Sequence, residues 1–185
     1  ILKNSILKDP VFLTRGYGGS VQKPELVNAD EHSAKDVGDE SLLLAVQGQT
    51  IVAKDRVNGA KMAEDMKHDG IMLDDGLQNP SLLKDLSFLI IDGASGFGNQ
   101  KTLPAGPLRE PLHESFLKSD AFILIGTDKN NVTALLPENK PLFLAHVKVS
   151  QDQLPENKNV VAFAGLGRPE KFYHTLIDHD YTVAS

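Results

Sequence analysis

The chain has 185 residues, 41% hydrophobic and 24% charged, with a formal net charge of −6. That is an ordinary globular composition, with room for one domain and a core or somewhat more. The acidic balance gives no field for nonspecific nucleic-acid binding, and the lack of cysteine excludes disulfides, thiolate zinc sites and cysteine nucleophiles.

In chain order, residues 11–14 form a short apolar run that reads as a strand, ended by Arg15-Gly16-Tyr17-Gly18-Gly19, a loop with backbone freedom. Residues 20–36 are polar and loop-like. A helix is expected over 38–47, with Asp39 and Glu40 in its first turn, where the helix dipole favours acids. Residues 50–53 read as a strand. Asp55 then reads as the N-cap of a helix running to Lys67.

Strands are expected at 71–73 and 87–91, and the glycine- and proline-rich stretch 93–107 reads as loop. A helix over 109–118 and a strand at 121–125 follow. Residues 143–149 alternate apolar and polar, which predicts a half-exposed antiparallel strand. A linker over 151–158 precedes a strand at 160–164, a loop at 165–167, and a helix from Pro169 to about Asp178. This alternation predicts an α/β fold with a mainly parallel sheet flanked by helices.

The first residue is isoleucine, and 181–185 read as a strand with nothing after it. Both ends are therefore expected to be cuts within something longer. The expected organisation is a core α/β domain over 1–126, a linker with β-strand over 127–158, and the start of a smaller C-terminal lobe over 159–185.

The most informative stretch is Ile71-Met72-Leu73-Asp74-Asp75-Gly76-Leu77-Gln78. Acids at the C-terminal tip of a buried strand lie where open α/β sheets bind ligands. A carboxylate there can hold Mg²⁺ beside nucleotide phosphates. The same residues also spell an acidic turn. Asp39 and Glu40 are expected at the same sheet edge, and four converging acids would be relieved by a divalent cation. Arg109 lies among Pro104, Pro107 and Pro111, which restrict its backbone. A positioned arginine can stabilise a transferring phosphoryl group, or simply make a structural ion pair. Arg15 and Arg56 are further candidates for anion contact. Tyr17 and Phe97 could meet a ring or a lipid, with packing favoured for Phe97. The six histidines show no metal-ligand spacing, and His32 and His68 read as surface residues. Neither a G-x-S-x-G elbow nor a G-x-x-x-x-G-K-[ST] loop occurs in the sequence.

Together, Arg15-Gly16-Tyr17-Gly18-Gly19, Val37-Gly38-Asp39-Glu40, Leu73-Asp74-Asp75-Gly76-Leu77-Gln78, Gly98-Asn99, the run from Leu103 to Pro111, and Ala162-Phe163-Ala164-Gly165 resemble the tetraacyldisaccharide 4′-kinases of lipid A synthesis. The order and spacing match along nearly the whole chain. The resemblance implies a P-loop kinase using ATP and Mg²⁺. Its acceptor would be the 4′-hydroxyl of a tetraacylated glucosamine disaccharide 1-phosphate, and its product lipid IVA. It further implies a peripheral enzyme on the cytoplasmic face of the bacterial inner membrane, with no nucleic-acid partner and no inferable protein partner.

By motif matching, Asp39 would activate the sugar hydroxyl. Asp74, as the Walker B acid, would serve the metal with Asp75 and Glu40. Arg56 and Gln78 would lie near the acceptor or phosphates, and Arg109 in the lid over the nucleotide. The resemblance places the P-loop, a membrane-docking helix and a C-terminal Asp-His segment outside the chain. Asn79 stands where the family usually has histidine. The 185 residues alone are therefore expected to show no measurable kinase activity. Two other readings stand beside this one: a different Mg²⁺-dependent NTPase or hydrolase on the same sheet, and a catalytically inactive fragment.

Overall fold

The structure is a computed structural model that describes residues 7–149, 154–165 and 169–184. The chain divides into two compact units, residues 1–145 and 146–185.

In the first unit, strand β1 (Pro10–Thr14) lies between β3 (Thr50–Val52) and β4 (Gly70–Leu73), parallel to both. The short β2 (Glu25–Leu26) runs antiparallel along β3, giving the order β2-β3-β1-β4. Val11, Leu13, Ile51 and Ala53 are fully buried and pack with Ala63 of helix α3 (Arg56–Asp65). Contact on both faces is why these strands are apolar runs rather than alternations. Asp55 caps α3 as expected, its side chain accepting from the Val57 amide at 2.9 Å and the Asn58 amide at 3.2 Å. Gly59 lets the helix approach closely: a Cβ there would lie 2.5 Å from Leu13 Cδ1 and 2.7 Å from the Ala53 Cβ.

The remaining strands of this unit form a separate parallel sheet, β5 (Phe88–Asp92), β6 (Ala121–Ile125) and β7 (Leu142–Ala145), in the order β5-β6-β7. The first unit thus holds two sheets where the sequence predicts one. Phe97, Phe116 and Phe122 pack edge to face in its core, so the packing favoured for Phe97 is what the fold uses. Helix α4 (Leu112–Lys118) starts three residues later than expected. Its C-terminal carbonyls are capped by Lys140, whose Nζ donates to Phe116 O at 2.6 Å and Ser119 O at 2.5 Å.

The strand expected at 143–149 is β7. It is parallel, not antiparallel, and ends at Ala145. Alternation reports one-sided exposure but not direction. A sixteen-residue-scale connection containing a 3₁₀ turn (Val132–Leu135) carries the chain back to the start of the sheet.

Residues 20–36, expected to be loop, contain β2 and the single-turn helix α1 (Ala34–Val37). The Ser33 amide and hydroxyl both donate to Asp36, which holds that carboxyl below its ordinary range. Helix α2 (Asp39–Gln47) follows directly. His68 is not a surface residue: its side chain is buried, with Nδ1 3.0 Å from Asp9 Oδ2.

In the second unit, β8 (Asn159–Val161) pairs in parallel with β9 (Thr182–Ala184), and α5 (Pro169–Asp178) connects them. Lys158 Nζ sits 4.1 Å above the Tyr181 ring. The expected loop at 165–167 and the linker from 151 fall partly outside the described residues, as does Ser185. Among the described residues, no helix is long and apolar enough to cross a membrane.

Candidate active site at the tip of the acidic strand

Because β1, β3 and β4 are parallel, their C-terminal ends share one edge. The register pairs Leu13 with Leu73, so the next residues, Thr14 and Asp74, are brought side by side. The Asp74 amide donates to Leu13 O at 3.1 Å, and the Thr14 hydroxyl donates to Asp74 Oδ2 at 3.0 Å. Asp75 then takes a left-handed backbone (φ 50°), which turns the chain out of the strand. The stretch is thus an acidic turn, and at its centre Asp74 is half-buried and fixed by a hydroxyl.

Arg56, at the start of α3, is 6% exposed. Its Nη1 donates to Leu13 O at 2.6 Å and its Nη2 to Asp74 O at 2.8 Å. Burial lowers its pKa, and the nearby Asp74 and Asp75 pull the other way. Arg56, expected to meet an anion, directs these two N–H groups at backbone carbonyls and so ties the tips of β1 and β4 together.

Arg109, in the loop before α4, is mostly exposed. Its Nη1 meets Asp75 Oδ2 at 2.5 Å, and that hydrogen bond and charge raise its pKa. The Gln78 amide nitrogen donates to Glu110 Oε1 at 3.2 Å. Asp39 and Glu40 open α2 as expected, both exposed, with the Glu40 amide donating to Asp39 Oδ1 at 2.9 Å. Gly38, just before them, has φ 86° and presses against the Tyr17 carbonyl, which a Cβ would meet at 2.6 Å. Glycine is needed there to start the helix against that loop. Tyr17 itself is 85% exposed, and Arg15 is exposed as well.

The four acids do not converge. Among the described residues, no group of three or more His, Cys, Asp or Glu side chains is placed to hold a metal ion. Asp75 instead faces Arg109, and Asp74 faces Thr14. Two residues that sequence reasoning missed now belong to the site. Thr14 had a signal, as the polar residue ending an apolar strand. Glu110 had only its place between Arg109 and Pro111.

Parallel sheets flanked by helices, with a hydroxyl-fixed aspartate at one strand edge, define an α/β fold, and a neighbour among solved structures is a kinase. The crystal structure of LpxK from Aquifex aeolicus in complex with ATP superposes with a TM-score of 0.74 at 28% identity, over 95% of this chain and 59% of that one. The family model for tetraacyldisaccharide-1-P 4′-kinase matches residues 4–185, and the chain belongs to that family. It is 45% identical over 172 residues to the tetraacyldisaccharide 4′-kinase of Bradyrhizobium diazoefficiens, covering 90% of this chain and 51% of the relative. The corresponding enzyme of Gluconacetobacter diazotrophicus is 46% identical over 167 residues, with 89% and 51% coverage. The chain therefore spans about half the length of these curated relatives.

Proposed function

We propose that this chain forms the acid-bearing part of a kinase that moves the γ-phosphate of ATP to the 4′-hydroxyl of tetraacyldisaccharide 1-phosphate, giving lipid IVA. The observation that carries this reading is the Asp74–Asp75 tip, held between Arg56 and Arg109 within the segment the family model matches. ATP as donor is supported by the ATP complex of the LpxK neighbour. The acceptor is supported by the family's name and by its named relatives. An acylated acceptor in turn supports a peripheral place on the cytoplasmic face of the inner membrane.

The donor set fits Mg²⁺. The ion keeps several waters and takes one or two carboxylates plus phosphate oxygens, so a cluster of three acids is not required. Asp74, Asp75 and Glu40 are the residues that would hold it. When bound, the ion offsets phosphate charge. The protein's own groups do the rest. Asp39 accepts the proton of the 4′-hydroxyl as its oxygen attacks the γ-phosphorus and the bond to ADP breaks. Arg109 leaves Asp75 to stabilise charge on the transferring group. Gln78 orients the acceptor, and Arg56 keeps the Asp74 backbone in place. We assign the kinase core to the first compact unit, residues 1–145, which takes in β7 from the stretch expected as linker, and the start of the C-terminal lobe to the second.

The test uses the protein that carries this chain together with a P-loop. Incubated with ATP, Mg²⁺ and tetraacyldisaccharide 1-phosphate, it should yield the 4′-phosphorylated product. Asp39→Ala should lower kcat by about a hundredfold or more while leaving ATP affinity unchanged. Unaltered turnover by that variant removes Asp39 from its role, and no transfer by the parent protein removes the reading.

A further inference from the structure

Glu110 carries none of the roles assigned so far, yet it gathers more side chains than any of the acids at the tip. Oε1 accepts from Gln78 Nε2 at 3.2 Å and from Ser115 Oγ at 2.8 Å, and Oε2 accepts from Lys118 Nζ. Ser115 and Lys118 lie three apart on α4, so they reach one point from the same helix face. Its neighbour Arg109 binds Asp75. Two consecutive loop residues thus grip the tip at Asp75 and Gln78 with opposite polarity, one donating and one accepting. Gln78, Arg109, Glu110 and Ser115 also line one cavity of about 220 Å³.

The polarity has a chemical consequence. An ionised carboxylate only accepts hydrogen bonds, so the Gln78 amide must turn its nitrogen towards Glu110. Its carbonyl oxygen is then the end left for another partner, and a carbonyl oxygen accepts from a hydroxyl. Burial of Glu110 opposes its ionisation. The hydrogen bonds from Lys118, Ser115 and Gln78 outweigh that and hold the carboxyl below its ordinary range.

We propose that Glu110 is a positioning residue: it fixes the Gln78 amide with its oxygen available to a hydroxyl-bearing acceptor, and clamps the Arg109 loop to the acidic tip. The idea rests on the kinase reading for its consequence in turnover, but not for the clamp itself.

The test compares Glu110→Ala, Glu110→Gln, Gln78→Ala and the double variant Gln78→Ala/Glu110→Ala in the protein carrying this chain and a P-loop. Glu110→Ala should lower kcat/KM for the lipid acceptor about tenfold, the loss of one or two hydrogen bonds to a charged group, with KM for ATP within about twofold. The double variant should lose no more than the worse single one. Glu110→Gln, which keeps an acceptor oxygen, should recover part of the loss. Amide exchange in 76–79 and 102–111 should quicken in Glu110→Ala while the β1 and β3 amides stay protected. Independent, multiplicative losses for the two residues, or unchanged exchange at the tip, would overturn the clamp. Quickened exchange in a protein whose parent form transfers no phosphate would retain the clamp and discard the kinase reading.

Discussion

The floor and the cover of the acidic tip each depend on an arginine, and the two are held in opposite ways. Below the tip, Arg56 is buried and bonded to two backbone carbonyls, Leu13 O and Asp74 O. Above it, Arg109 is 62% exposed at its side chain and bonded to one carboxylate, itself 59% exposed. Removing the first leaves Asp74 O without this donor and Leu13 O with only the Asp74 amide. Removing the second leaves a carboxylate that water can solvate. A buried arginine tied to main chain can only set geometry. An exposed one tied to a single acid can change partners as charge moves.

The contrast can be broken most forcefully at the floor. Arg56→Ala should cost about 2–4 kcal/mol of stability, since one buried and one half-buried carbonyl lose a charged donor and a buried side chain is removed. Thermal or urea unfolding would measure it. Arg56→Lys should rescue only part, because one ammonium does not reproduce the planar fork. A loss below about 0.5 kcal/mol, the range of ordinary surface substitutions, would show that the floor is not anchored this way. At the cover the pattern should reverse. Arg109→Ala should change stability by less than about 1 kcal/mol, as exposed ion pairs do, yet lower kcat about a hundredfold or more if the arginine serves the transferring phosphoryl group. Equal effects on stability from the two arginines would erase the distinction.

A smaller effect sharpens the cover alone. The Glu110 carboxyl is ionised more readily in the fold than its ordinary value of 4.5. Its contribution to stability is therefore fully present above that value and is lost as pH falls through the lower folded value. Melting temperatures taken from pH 6 down to pH 3 should fall more steeply for the parent protein than for Glu110→Gln. The smallest expected change is that of Asp75→Asn, below about 1 kcal/mol in stability and shrinking further in salt.

Much of this was legible in the sequence because local signals agree with the fold. Asp55 has the spacing of a cap and is one, and Pro169 opens α5. Asp74 could be placed at a strand tip from the apolar run before it. What was not legible rests on partners distant in sequence. Arg56 reads as a candidate for anion contact until its carbonyl partners, 43 and 18 residues away, are seen beside it. Glu110 meets Gln78 across 32 residues. The direction of β7 depends on how a connection returns, which alternation does not encode. The short helix α1 was missed despite a readable sign, Ser33 three residues before Asp36.

Gly59 lies one turn after Arg56 on α3, and the space it leaves is filled by Leu13 and Ala53. It works as a spacer of zero thickness. A side chain at this position would lift the helix off the sheet, and the guanidinium one turn earlier would be carried away from Leu13 O and Asp74 O. The position of the acidic tip is thus gauged by a residue that touches neither acid nor phosphate. A single added methyl group should be felt at the adjoining strand tip as a misplaced aspartate.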